Sequence, residues 1–161
     1  MKTIYIRLHK GKGFLSKLIK WQTRSEYSHA SIQLDGGLCY ESREGRGVRA
    51  FHASEDFTKG EQVDFFELTV DNNQYLDLIM FLREQLGKKY DYTMVARFVS
   101  RRQAARAESE KWFCSELVYA SLMVAGVKLL SYDEPWRISP EHIHASPIIE
   151  PCSRPNLATR L

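Results

Sequence analysis

The run Trp112-Phe113-Cys114-Ser115-Glu116-Leu117-Val118 decides how this chain is read. An aromatic pair gives way there to an amphipathic stretch, which places a cysteine at the predicted start of a helix. A thiol in that position faces unpaired backbone N–H groups and the positive end of the helix dipole. Both favour thiolate, the nucleophilic form. Ser115 and Glu116 are residue types suited to a first helical turn. The dipole contributes only about 0.3–1 kcal/mol at an exposed helix end. A reactive sulfur would therefore need a paired base. The ordinary alternative for a free cysteine is a small buried apolar filler.

Five histidines are available as a base: His9, His29, His52, His142 and His144. His29, in Tyr27-Ser28-His29-Ala30, stands at a strand edge before a hairpin, where a side chain can be aimed rigidly at a cleft. His52, also near a strand end, is its rival. His142 and His144 alternate, and with Cys152 they form a spacing too weak to assign a metal, so none is expected. An imidazole base needs a group to orient its other nitrogen. Glu41 supplies one if the hairpin loop is odd-numbered, with Leu34 opposite Leu38. Ser31 then faces Glu41, and His29 lies diagonally on the same sheet face, about 7–8 Å away at the backbone. A register slip of one residue would send Glu41 to the other face. Cys39 shares the face of Glu41 by period two and is expected to line the same cleft or pack beneath it. The bland reading of Glu41 is a solvated strand carboxylate.

The rest of the chain organises around these residues. Ile4, Ile6 and Leu8 alternate in a predicted strand over 3–8. Phe14, Leu15, Leu18 and Ile19 follow at helical spacing, with Lys17 and Lys20 opposite. Strands are expected over 29–34, 38–41, 48–51 and 63–68, with Asp35-Gly36-Gly37 as a hairpin signal. Tyr75, Leu76, Ile79, Leu82 and Leu86 form the stripe of a helix over 73–86, which Gly87 stops. A second helical stretch over 93–106 carries Arg97, Arg101, Arg102 and Arg106. The helix from Cys114 runs to about Ala125 and stops at Gly126. From about residue 135 the tail is proline-punctuated and reads as irregular. Strands and helices segregate, which predicts an α+β fold in one domain over 1–161.

Composition narrows the functional class. The net charge of +3 among 43 charged side chains is mild, and nucleic-acid binders leave a denser basic footprint. No nucleic-acid partner is expected. No segment reaches the ~20 apolar residues that span a bilayer, and the first residues carry too short an apolar run for a signal peptide. A cytoplasmic location is expected. Cys39, Cys114 and Cys152 are odd in number and widely spaced, which fits reduced thiols rather than a disulfide framework.

The histidine in Tyr-Ser-His-Ala, the acidic residue at 41 and the late Trp-Phe-Cys-Ser-Glu-Leu-Val helix together resemble the permuted NlpC/P60-like proteins. These YiiX/YaeF-like, circularly permuted papain-fold cysteine hydrolases are distantly related to lecithin:retinol acyltransferase. The cysteine helix follows the histidine strand, the reverse of ordinary papain-like chains. The resemblance spans about residues 3 to 150 and includes Gly47-Val48 and Lys89-Tyr90-Asp91-Tyr92. It implies an antiparallel sheet or small barrel packed against helices, with the nucleophile at a helix N-terminus. It further implies Cys114 as nucleophile, His29 as base and Glu41 as the third polar member, with no cofactor. Many members open with a Gly-Asp-Ile-type strand and some are secreted or lipid-anchored. The opening Ile4-Tyr5-Ile6-Arg7-Leu8 departs from that, so a cell-wall role is not carried over. Compact members of the group occur in phages and prophages, which would place this chain in a host cytoplasm.

On that reading the enzyme acts on an amide or ester bond through a thioester. The substrate would be a peptide, a peptidoglycan fragment or a lipid-like acyl group, and peripheral membrane contact is compatible with the basic charge. The Cys114 N–H is one oxyanion donor. Tyr5, Tyr90, Tyr92 and Gln33 are chemically able to be the second, and sequence does not rank them. Phe98, Trp112, Phe113 and Trp136 could wall a substrate cleft or belong to the core. The arginine run could meet phosphate or anionic glycan, though a solvated helix face is the commoner explanation. The competing reading is a papain-like scaffold that only binds, since fold does not fix function.

Overall fold

Ile4, Ile6 and Leu8 alternate along β1 (Lys2–Lys10) with Arg7 and His9, and all five are buried. A strand covered on both faces belongs at the centre of a sheet, and β1 lies between β2 (His29–Gln33) and β5 (Gln62–Val70). The computed structural model describes residues 1–55, 61–93, 110–131 and 138–156. The other strands are β3 (Leu38–Arg43), β4 (Gly47–His52) and β8 (Glu150–Cys152), and the six-stranded order is β4-β3-β2-β1-β5-β8. Every neighbouring pair in it is antiparallel. A separate parallel pair, β6 (Lys89–Tyr90) and β7 (Lys111–Trp112), leads into the cysteine helix.

One face of the sheet is apolar. Ile4, Ile6, Leu8, Ala30, Ile32, Tyr40, Phe66 and Leu68 form one cluster with α2 (Asn72–Glu84) and α3 (Cys114–Val124). Asp71 caps α2: its Oδ1 accepts from Gln74 N at 2.8 Å, and Gln74 reaches back to Asp71 N. Helix α3 is buried from Cys114 to Leu122 on every side, the pattern of a central helix. The opposite sheet face is buried too, yet polar. Arg7, His9, Ser31, Gln33 and Glu41 are each no more than 2% exposed.

The chain is α+β, as expected. The Asp35–Gly37 turn is an odd loop closed by Leu34 N donating to Leu38 O at 2.8 Å. Ile32 pairs with Tyr40 and Gln33 with Cys39, and that register continued places Ser31 opposite Glu41. The tail departs from its expected irregularity. Pro140 opens a short helix α4 (Pro140–His144) capped by Ser139, and Glu150–Cys152 pairs with β5. The prolines misled because Pro is favoured at a helix start and tolerated on an edge strand. The stretch expected to be helical over 93–106, its four arginines, Phe98 and Trp136 fall outside the described residues, except for Thr93. Among the described residues no helix is long and apolar enough to cross a membrane.

Candidate active site

His29 opens β2 and Cys114 opens α3, so both side chains are held by the first residue of a regular element. Phe113 is the N-cap, and Glu116 secures the turn by accepting from Phe113 N at 3.3 Å. On the strand side, Ser28 N donates to His9 O at 2.9 Å, and Ser28 Oγ accepts from Gly11 N at 3.1 Å.

The imidazole of His29 donates from Nε2 to Glu41 Oε2 at 2.6 Å, and Cys114 is close enough to act on its pKa. Burial acts to lower its pKa. The Glu41 charge, the hydrogen bonds to Cys114 and Glu41, and the Cys114 charge outweigh it and hold His29 up at about 9. Glu41 is fully buried, which alone would raise it. The charge and hydrogen bond of His29, with Arg43 and Arg49, hold it well below the usual carboxylate range. Arg49 donates to Oε1 from Nε at 2.8 Å and from Nη2 at 2.6 Å, and Arg43 Nη1 lies 3.6 Å from Oε2. A buried carboxylate is tolerable only with such partners.

Behind His29 stands His9, its register partner across β1, with ring centroids 4.9 Å apart in an edge arrangement. It is fully buried and hydrogen-bonded to Ser31 Oγ at 3.2 Å. Burial pulls it down to about 4, with His29 and Arg7 adding to that and Glu61 opposing it. Its Nδ1 lies 3.5 Å from Glu61 Oε2, and Glu61 also pairs with Arg43 at 3.6 Å.

Cys114 is sealed. Its side chain clusters with Ile19, Tyr90 and Phe113, and Leu15 and Leu18 pack against them. Leu15, Leu18 and Ile19 belong to α1 (Phe14–Thr23), which therefore roofs the sulfur. The cleft beside it, lined by Leu15, Ile19, His29, Arg43, Glu61 and Tyr90 among others, holds about 30 Å³, room for one water.

The remaining expected residues divide. Tyr90 and Phe113 meet at Cys114, with ring centroids 5.8 Å apart. Burial and the Cys114 charge push the Tyr90 phenol far above its ordinary value. Tyr92 is 55% exposed, and its hydroxyl accepts from Gly45 N at 2.8 Å. Trp112 turns away toward α2, donating from Nε1 to Gln85 Oε1 at 3.1 Å. Gln33 lies along β2 from His29, where its Oε1 accepts from Cys39 Sγ at 3.7 Å. Cys39 was expected in or under the cleft. It packs instead with Phe51 and Ala53 and accepts from Arg7 Nη1 at 3.1 Å. Period two assigns a face but not a position along it, and Cys39 sits at the far end. His52, the rival base, bonds Ser54 Oγ and Gly36 O. His142 caps its own helix through Ser139, whereas His144 packs on Tyr27 and Phe66.

Sequence reasoning missed Arg49, Arg43 and His9. Alternation along β4 and β1 puts Arg49 and His9 on the correct face. The strand pairing that brings them to Glu41 and His29 is not written in either strand alone.

No protein-family model matches the chain, and no curated protein sequence does. A solved structure titled metalloprotein yiiX from Escherichia coli O157:H7, DUF1105, shares the fold with a TM-score of 0.68 at 16% identity. The match covers 96% of this chain and 97% of that one. The fold defined by this sheet and helix arrangement is therefore YiiX-like. That neighbour's title calls it a metalloprotein. Among the described residues here, no group of three His, Cys, Asp or Glu could hold a metal ion.

Proposed function

We propose that Cys114, His29 and Glu41 form the triad of a thiol-dependent hydrolase or acyltransferase of the permuted papain-like kind. The observation that carries the reading is the double engagement of His29. One imidazole is hydrogen-bonded to a buried carboxylate and is close enough to a cysteine at a helix start for that thiol to raise its pKa. A nucleophile, a base and an orienting group in that chain are the arrangement covalent acyl chemistry requires.

In the proposed mechanism Nε2 is occupied by Glu41, which leaves Nδ1 to take the Sγ proton. The thiolate attacks a carbonyl carbon, and the electron pair moves to oxygen. The Cys114 N–H donates to that oxyanion. Tyr90 is the proposed second donor: it packs beside the sulfur, and its raised pKa keeps the phenol proton in place. His29 returns the proton to the departing amine or alcohol, leaving a thioester. Water or another nucleophile then attacks, again deprotonated by His29.

The binding-scaffold reading has its own support in the fully buried sulfur beneath α1. Alkylation separates the two. With the roof thinned by Leu15→Ala/Leu18→Ala, iodoacetamide at about pH 6, where an ordinary thiol is protonated, should label Cys114 ahead of Cys39 and Cys152 and stop doing so when His29→Ala is added. Screening amide and ester donors for an acyl adduct on Cys114 tests turnover directly. Uniform slow labelling with no adduct would favour the scaffold.

A further inference from the structure

Helix α1 has an inner flank that covers Cys114 and an outer flank that covers nothing. Phe14 is 85% exposed and Trp21 is 73% exposed. Single exposed hydrophobes are ordinary. These two stand seven residues apart, about two turns, so they form one stripe along a helix of nearly three turns, bordered by Leu18, which packs toward Cys114.

Charge surrounds that stripe with a single sign. Residues 10–24 contain Lys10, Lys12, Lys17, Lys20 and Arg24 and no Asp or Glu, whereas the whole chain is only +3. The positive balance of the protein thus resides in this segment, and the rest is slightly acidic. Lys10 is already paired with Glu26 at 3.0 Å and Asp64 at 3.1 Å. The ion pairs among the described residues leave Lys12, Lys17, Lys20 and Arg24 untouched. Lys12, Lys17 and Arg24 are exposed.

We infer that α1 is a docking helix for an anionic lipid surface, with Phe14 and Trp21 seated among the headgroups and acyl boundary and the four cations against lipid phosphates. A short helix with aromatics on one side and lysines beside them is the composition of an interfacial amphipathic helix. An acidic protein groove would satisfy the cations, but an exposed Trp flanked by Lys fits the wet, half-apolar interface of a bilayer better.

The test uses the full chain in vesicle co-sedimentation. Wild type should bind vesicles of phosphatidylcholine with one-third phosphatidylglycerol, release at high salt, and bind pure phosphatidylcholine much more weakly. Lys17→Glu/Lys20→Glu should weaken anionic binding by about fivefold per unit of charge changed. Phe14→Ser/Trp21→Ser should weaken it at least tenfold while keeping the wild-type melting curve, because both side chains are exposed. Trp21→Phe should still bind but lose most of the fluorescence quenching produced by brominated lipid. Cys114→Ala should bind like wild type, so this result stands apart from any outcome for the triad. The inference is overturned if wild type ignores anionic vesicles or the aromatic double variant binds unchanged. It is equally overturned if the outer flank proves to be a contact between copies, seen as dimerisation lost in Phe14→Ser/Trp21→Ser.

Discussion

Replacing Glu41 with Gln tests the centre of the site without changing its volume. The carboxylate accepts from His29 at 2.6 Å and from Arg49 at 2.6 and 2.8 Å, and is fully buried. Held at about 9 against 6.5 for a free imidazole, the charged form of His29 is favoured by about 3 kcal/mol. The Glu41 charge is the largest contribution raising it. Its loss should drop the imidazole by about two units, the usual effect of a close opposite charge. The amide can still accept from one donor but cannot neutralise Arg43, Arg49 and a charged His29. Breaking a buried ion pair from one side costs about 3–5 kcal/mol, which in a domain of this size lowers Tm by roughly 10 °C. Proton NMR of the His29 ring through a pH titration measures the first effect, and urea unfolding the second. A variant with an unshifted His29 and wild-type stability would refute the argument that Glu41 holds the imidazole.

Other consequences follow from the same geometry. The raised His29 should stabilise the fold fully below its free value of 6.5, and that contribution should fade as pH climbs through about 9; Glu41, held low, contributes above the usual carboxylate range and is lost as pH falls, so urea midpoints should decline on both sides. Gly47→Ala should cost about 3 kcal/mol or more in urea unfolding, because Gly47 has φ +68° and a Cβ there would lie 2.3 Å from Lys88 O. Leu15→Ala/Leu18→Ala should thin the roof over Cys114 and speed its alkylation, read by mass spectrometry, while the rate at Cys152 stays fixed. Asp71→Ala should remove the cap of α2 at a cost of about 1 kcal/mol in the same unfolding assay.

What was legible in the sequence depended on whether a local signal specifies the pairing. The β2–β3 hairpin is local: a three-residue turn and period-two alternation suffice to bring His29 and Glu41 onto one face, and the structure has that register. The helix start at Cys114 is equally local, marked by residues 112–116. What lay out of reach is either a hairpin register that its turn does not specify or a pairing of distant segments. Arg49 reaches Glu41 only because β4 pairs with β3 in a register that puts the two residues opposite each other. His9 backs His29 because β1, twenty residues earlier, is the neighbour of β2. The two-residue pair β6–β7 and the edge strand β8 are too short to carry a periodic signal. Helix α1 was legible as an amphipathic helix, but its apolar side alone could not say that it closes over a cysteine one hundred residues away. That closure changes what the triad geometry implies. Leu15, Leu18 and Ile19 pack over the buried Cys114, and the cleft beside His29 holds only about 30 Å³. The proposed chemistry at Cys114 and the proposed lipid contact of Phe14 and Trp21 thus meet on one helix, whose inner side covers the thiol.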